Sequence, residues 1–159
     1  CAMNGGAAGY GMDLAYCCDM RVAVPRAKLA MIFTARGILP ESGGTWLLPR
    51  LVGWAKASEL LFTAATIRAE EAKELGLVNR IAEDGDVMPA ALALAGEVAA
   101  NAPLAVRATK RMMRHAMTEG FEDHIQRQFT GMLPLLGTDD FREAAMAFME
   151  KRDAKFEGR

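Results

Sequence analysis

The chain has 159 residues, of which 52% are apolar and 25% charged, a composition typical of one globular domain and outside the range of disordered proteins. Nineteen Lys and Arg residues balance twenty Asp and Glu residues, so no excess of positive charge indicates a nucleic acid or an anionic membrane as partner. No apolar run is long enough for a membrane-spanning helix, because Pro89, Gly96 and Glu97 interrupt the longest candidate.

The first part of the chain has the pattern of short strands and helices between glycine turns. Residues 3–11 are predicted to be a loop, because four glycines occur in the seven residues from Gly5 to Gly11. The pattern then predicts a short buried helix over 12–18, a strand over 20–24, an extended stretch over 28–33 and a helix over 46–51. Gly53 ends that helix.

The rest of the chain is predicted to be helical apart from one strand over 77–81. The candidate helices cover 55–63, 69–75, 87–100, 103–118, 121–136 and 139–151. Three of the predicted starts carry helix-start signals, with Asp86 and Thr138 as caps and Pro103 in a first turn.

Cysteine and histidine positions indicate neither a disulfide framework nor a metal site. The chain has an odd number of cysteines, Cys1, Cys17 and Cys18, and the adjacent pair is badly placed to form a disulfide with itself. Both features favour a reducing compartment such as the cytoplasm. His115 and His124 lie nine residues apart, which matches no metal-binding spacing. We therefore expect no metal.

Several short motifs follow one another along the whole chain. They are Asn4-Gly5 with its glycine turn, Cys18-Asp19-Met20-Arg21, Gly37-Ile38-Leu39-Pro40, Gly43-Gly44-Thr45, Leu48-Pro49-Arg50-Leu51-Val52-Gly53, Gly76-Leu77-Val78-Asn79 and Phe148-Met149-Glu150-Lys151-Arg152. In this order and spacing they resemble the crotonase superfamily, which contains the enoyl-CoA hydratases and isomerases.

The resemblance implies an α/β fold, in which a crotonase-like spiral of ββα turns precedes an α-helical oligomerisation region. Residues 1–100 correspond to the C-terminal part of the spiral and 101–159 to the helical region. Family members have a further N-terminal portion that contributes half of the oxyanion hole. We therefore expect the spiral to be incomplete at its N-terminus in this chain.

The resemblance also implies an acyl-CoA substrate, whose thioester enolate is stabilised by two backbone N–H groups. Coenzyme A then enters as part of the substrate, and no separate cofactor is expected. The N–H of Tyr10 matches one of the two donors, and the flanking Gly9 and Gly11 allow the substrate to approach closely. Family members more often have glycine at position 10.

Two acidic residues are candidates for proton transfer. Asp13 matches a hydratase glutamate, although an acid in a first helical turn also interacts favourably with the helix dipole. Phe33 stands where the second hydratase glutamate would be, so we expect it to line the acyl pocket or the core. Glu41 matches an active-site acid of other crotonase-like enzymes, or is a plain acid at a helix start.

Near the C-terminus, Phe148 and Lys151 match substrate-binding positions of relatives. Lys151, with Arg152 and Lys155, could reach a coenzyme A phosphate, and a solvated helix end is the equal alternative.

Two functional classes remain open. The first is an acyl-CoA enzyme, either an enoyl-CoA hydratase or isomerase, or a relative that performs decarboxylation, dehalogenation or hydrolysis. The second is a non-catalytic fragment or assembly module that retains the helical region. The apolar side chains of residues 103–151 exceed what a small domain can cover, and together with the resemblance they predict a homo-trimer or hexamer.

Overall fold

The computed structural model describes residues 1–83 and 85–159, which divide into the two units Cys1–Ala93 and Leu94–Arg159. The first unit contains short strands and helices. The strands are β1 (Ala2–Met3), β2 (Ala7–Ala8), β3 (Val22–Ala23), β4 (Lys28–Ala30), β5 (Thr66–Arg68) and β6 (Arg80–Ile81). The helices are α1 (Tyr10–Cys17), α2 (Gly44–Val52), α3 (Trp54–Phe62) and α4 (Ala69–Glu74), with a 3₁₀ turn at Thr34–Arg36.

The strands form two three-stranded sheets. One is parallel with the order β1-β3-β6, and Met3 pairs with Ala23 in it. In the other, β2 runs parallel to β4, and β4 runs antiparallel to β5. The chain thus forms one strand in each sheet, β1 and then β2, followed by α1. The next two strands, β3 and β4, pair with them in the same two sheets.

The apolar side chains of this unit form its core. The largest fully buried ones lie in α1, α2, α3 and β4, directly after β3 and β4, or in the segment before β6: Met12, Leu48, Leu60, Leu29, Val24, Met31 and Leu77. Their burial supplies the main stabilisation, at roughly 25 cal/mol for each Å² of apolar surface removed from water.

A buried arginine connects α1 to the segment before β6. Arg21 is 2% exposed, and its guanidinium donates hydrogen bonds to the carbonyls of Ala15 (3.0 Å), Cys18 (2.6 Å) and Leu77 (2.5 Å). Its backbone exchanges two hydrogen bonds with Asn79, each of 2.8 Å. Burial lowers the pKa of Arg21, but a guanidinium ionises so high that the charge remains. The carbonyls at the C-terminal end of α1 stabilise that charge.

The second unit is helical. Its elements are α5 (Val87–Ala99), which spans the boundary between the units, then α6 (Pro103–Ala116), α7 (Phe121–Met132), a 3₁₀ helix at Leu133–Gly137 and α8 (Asp139–Glu150). The predicted helix-start signals are confirmed. Asp86 accepts the N–H of Met88 at 3.1 Å, Thr138 accepts the N–H of Phe141 at 3.1 Å, and Pro103 is the first residue of α6.

The structure corrects the prediction in three places. Residues 3–11 were predicted as a loop but contain β2 and the end of β1, and 66–68, for which no strand was predicted, form β5. These strands have two or three residues, too few for an alternating pattern, and their pairing with distant strands creates them. The predicted helix 121–136 ends at Met132, where the 3₁₀ helix that contains Pro134 begins.

In the described part of the chain, no single helix is long and apolar enough to cross a membrane. The bent pair α5 and α6 reaches the required length and apolar composition only when the two helices are counted together.

We expect Arg21→Ala to lower the free energy of unfolding by about 3 kcal/mol, because it leaves three carbonyls without their charged donor. Urea titration measures this loss. Arg26→Ala is the matched control, since Arg26 is exposed and contacts the carbonyls of Asn4 and Gly85 only at 3.3 and 3.4 Å. It should cost less than about 1 kcal/mol. Equal losses in both variants would contradict the role assigned to Arg21.

Candidate active site

The N-terminus of α1 presents free backbone N–H groups. Gly9 precedes the helix at φ +52°, a backbone conformation that favours glycine, and its N–H donates to the carbonyl of Ala30 at 3.1 Å. Its carbonyl accepts the N–H groups of Met12 and Asp13. Within the described residues, the N–H groups of Tyr10 and Gly11 donate to no acceptor. A helix end of this kind attracts negative charge.

The two aromatic residues near this turn lie in different environments. Tyr10 is 61% exposed, so its ring is not packed in the core. Phe33 is buried, and two of its ring carbons lie 4.0 Å from where a Cβ of Gly9 would be. Phe33 therefore packs behind the glycine turn.

Asp13 lies on the buried face of α1 and is 1% exposed. Its Oδ2 accepts the backbone N–H of Ser42 at 3.2 Å, whereas Oδ1 has no hydrogen-bond partner of good geometry among the described residues. Burial raises the pKa of Asp13, the N–H groups of Ser42 and Gly44 oppose that rise, and the charge of Glu41 adds to it.

Glu41 is exposed and lines a hollow of about 670 Å³. The other lining residues are Thr34, Gly37, Ile38 and Leu39, and the side chains of Ile38 and Leu39 are more than half exposed. The structure thus brings Asp13 and Glu41 together through the turn that contains Ser42. Asp13 and Tyr10 are not among the residues that line this hollow.

At the C-terminus, one of the three predicted basic residues is engaged in ion pairs. Arg152 makes a bidentate pair with Glu143 at 2.5 and 2.9 Å and contacts Glu150 at 2.6 Å. Lys151 ends α8 at φ +54° and is exposed, and Phe148 is 86% exposed.

The last residues of the chain are held against α8. Asp140, 4% exposed, accepts the N–H groups of Glu157 (2.8 Å) and Gly158 (2.9 Å). Glu143 accepts the N–H of Lys155 at 2.9 Å as well as its bonds from Arg152. The hydrogen bonds from Arg152, followed by that from Lys155, lower the pKa of Glu143 to about 2.

Both histidines lie in the helical unit, His115 on α6 and His124 on α7. His124 pairs with Glu119 at 2.8 Å, and among the described residues no group of three His, Cys, Asp or Glu side chains could hold a metal.

The structure adds residues that the sequence analysis did not select. Arg21 and Asp140 are buried charged residues that bind backbone groups, and some of these groups are distant along the chain, Leu77 for Arg21 and Glu157 and Gly158 for Asp140, so no local pattern indicates the burial. The Gly43-Gly44 pair entered the sequence analysis only as part of a motif, and its packing was not foreseen: a Cβ at Gly44 would collide with Asp13.

Comparison with known proteins identifies the family. The family model described as enoyl-CoA hydratase/isomerase matches residues 1–159. The chain belongs to this family. It is 40% identical to the crotonyl-CoA hydratase of Syntrophomonas wolfei, with 98% of this chain and 60% of the relative covered. It is 37% identical to the short-chain-enoyl-CoA hydratase of Clostridium acetobutylicum, with 99% and 59% covered.

Solved structures agree with the sequence comparison. The enoyl-CoA hydratase from Bacillus anthracis superimposes with a TM-score of 0.95 at 35% identity, over 99% of this chain and 61% of that one. The predicted α/β crotonase fold class is therefore confirmed. The chain spans about 60% of the length of these relatives. The division of roles between residues 1–100 and 101–159 stays a prediction.

The ion pair of Glu143 makes the end of the chain sensitive to acid. Because its pKa is lowered, its contribution is present above the ordinary value of 4.5 and is lost as the pH falls to about 2. We expect the NMR signals of Arg152 and Lys155 to move toward unfolded positions over this range in the wild type.

Glu143→Gln should move the same signals at neutral pH. Glu150→Gln is the control, because Arg152 keeps its bidentate partner in that variant. Unchanged signals in Glu143→Gln would show that the pair does not hold this segment.

Proposed function

We propose that the protein is an acyl-CoA enzyme that moves a proton along the acyl chain, an enoyl-CoA isomerase, with enoyl-CoA hydration as the second candidate. The observation that carries this is the free helix N-terminus at Tyr10 in a chain of this family. A preorganised donor of this kind contributes about 10² to 10³ in rate when it meets the oxygen of an enolate.

The reaction follows from one donor and one exposed acid. The carboxylate of Glu41 takes a proton from an acyl carbon, and the electron pair moves toward the thioester oxygen, which accepts the N–H of Tyr10. Return of the proton to another carbon shifts the double bond. Gly9 and Gly11 leave room for the thioester beside this N–H, and Phe33 supports the turn.

The distribution of acids favours isomerisation. Phe33 cannot transfer a proton, and Asp13 is buried, so of the candidate acids only Glu41 has a solvent-exposed carboxylate. Isomerisation needs one group that takes and returns a proton, whereas hydration by two glutamates needs a second acid to hold the water. Hydration remains the second candidate because the relatives above bear hydratase names.

Coenzyme A binding is the proposed role of the exposed C-terminal residues. Lys151 and Lys155 are suited to a phosphate group, whereas Arg152 is occupied by Glu143 and Glu150. The side chain of Phe148 offers an apolar contact to the substrate.

We also propose that the helical unit assembles the protein into a trimer or hexamer. Among the described residues of 94–159, Ala147 is the only buried apolar one. On α7 the exposed Phe121, Ile125 and Phe129 recur every four residues and form one apolar stripe. An apolar surface of this extent is typical of an interface.

A reducing compartment, such as the cytoplasm, is the proposed location. The side chains of Cys1, Cys17 and Cys18 are all free thiols.

We expect Glu41→Gln to lower the turnover of a 3-enoyl-CoA by about 10² or more, the range for loss of a general acid or base. The absorbance of the conjugated thioester product follows the reaction, and a 2-enoyl-CoA measures hydration in parallel. Glu70→Gln, on the exposed side of α4, is the control and should stay within about threefold of wild type. Wild-type turnover in Glu41→Gln would end the assignment.

Light scattering of the protein in its native length should give the mass of a trimer or hexamer. Phe129→Asp places a charge in the apolar stripe and should shift the mass toward the monomer. Gln128→Asp, its exposed neighbour in the chain, should leave the assembly intact. A monomer mass for the wild type at every concentration would contradict the proposed assembly.

A further inference from the structure

Asp13 is a buried acid that the proposed reaction does not use. With 1% exposure, its carboxyl group reaches neither solvent nor the hollow lined by Glu41. Its Oδ2 instead accepts the N–H of Ser42, the backbone group that directly follows Glu41.

The turn around Glu41 is closely packed against this carboxyl group. Gly43 has φ +101°, which favours glycine, and Gly44 is buried. A Cβ at Gly44 would collide with Oδ1 of Asp13 and lie 2.9 Å from Cβ of Pro40. The buried Pro40 before Glu41 and the bonded Ser42 after it fix the backbone on both sides of the acid.

The interaction is also favourable in charge and direction. The N–H groups of Ser42 and Gly44 both face Asp13, at the N-terminus of α2. A carboxylate is stabilised by the dipole of such a helix end, which compensates part of the cost of its burial. Asp13 thereby connects α1, which carries the Tyr10 N–H, to the turn that carries Glu41.

We propose that Asp13 is a positioning residue, whose carboxyl group holds the turn of residues 41–44 so that the Glu41 side chain faces the hollow. This inference rests on the proposed function of Glu41. It differs from a direct role for Asp13, in which its own carboxyl group would transfer a proton to the substrate.

Two substitutions of Asp13 distinguish these roles. Asp13→Asn keeps an oxygen that accepts the Ser42 N–H, so we expect kcat within about threefold of wild type. Asp13→Ala removes the acceptor and should lower kcat by about 10 to 10², since small misplacement of a catalytic group has effects of this size. KM should change little, and the pH profile should keep its shape because the carboxyl group proposed to transfer the proton, that of Glu41, is unchanged.

Gly44→Ala is a second route to the same displacement. Its Cβ would push the Asp13 carboxyl away from the turn, so it should also lower kcat by about 10 to 10², and it tests the proposal where Asp13→Ala does not fold. Gly96→Ala is the control, because no atom lies within 4 Å of its new Cβ. Equal loss in Asp13→Asn and Asp13→Ala with one limb of the pH profile missing would overturn the proposal, as would wild-type kcat in Asp13→Ala.

Amide hydrogen exchange at Ser42 tests the contact without any activity. Exchange should accelerate by about tenfold or more in Asp13→Ala and remain slow in Asp13→Asn. If Glu41→Gln were fully active, the proposed function would fail while this measurement still reported on the contact. Unchanged exchange at Ser42 in Asp13→Ala would overturn the positioning role itself.

Discussion

The contact on which the candidate site depends is the buried guanidinium of Arg21. It binds two carbonyls at the C-terminal end of α1 and the carbonyl of Leu77, so it fixes one end of that helix to the rest of the unit. An eight-residue helix is rigid and about 12 Å long. Holding its C-terminal end therefore also sets the direction of its N-terminal end, where the Tyr10 N–H lies.

The same helix is held at its other end by different means. Gly9 connects it to β4 through a backbone hydrogen bond, Met12 fills the core, and Asp13 binds the turn before α2. The exposed side chains of Tyr10 and Glu41 take no part in these contacts. The position of the site thus comes from backbone groups and buried residues, whereas Tyr10 and Glu41 extend outward and can vary without disturbing the fold.

The sequence predicted the long helices well because their signals are local. The helix-start signals depend only on neighbouring residues, and the structure confirms the three that were predicted, at Asp86, Pro103 and Thr138. The strands β1, β2 and β5 depend on pairing with distant residues and leave no pattern in two or three positions. For the site, the motifs selected Tyr10 and Glu41. Asp13, however, is an acid in a first helical turn, and such an acid has the same sequence pattern whether it faces solvent or the core. The burial of Asp13 was therefore invisible in the sequence.

Two carboxylates show why acid affects the two units in opposite ways. Burial raises the pKa of Asp13, so the folded state binds a proton at this group more readily than the unfolded state does. The stability that this proton contributes is present below pH 3.8, the ordinary pKa, and is lost as the pH rises through the pKa of the folded state. Ion pairing lowers the pKa of Glu143, so its stability is present above 4.5 and lost as the pH falls to about 2. Acidification thus relieves a buried charge in the first unit while it removes an ion pair from the second. The difference follows from which effect dominates: burial outweighs the opposing N–H groups of Ser42 and Gly44 at Asp13, whereas the hydrogen bonds from Arg152 outweigh burial at Glu143.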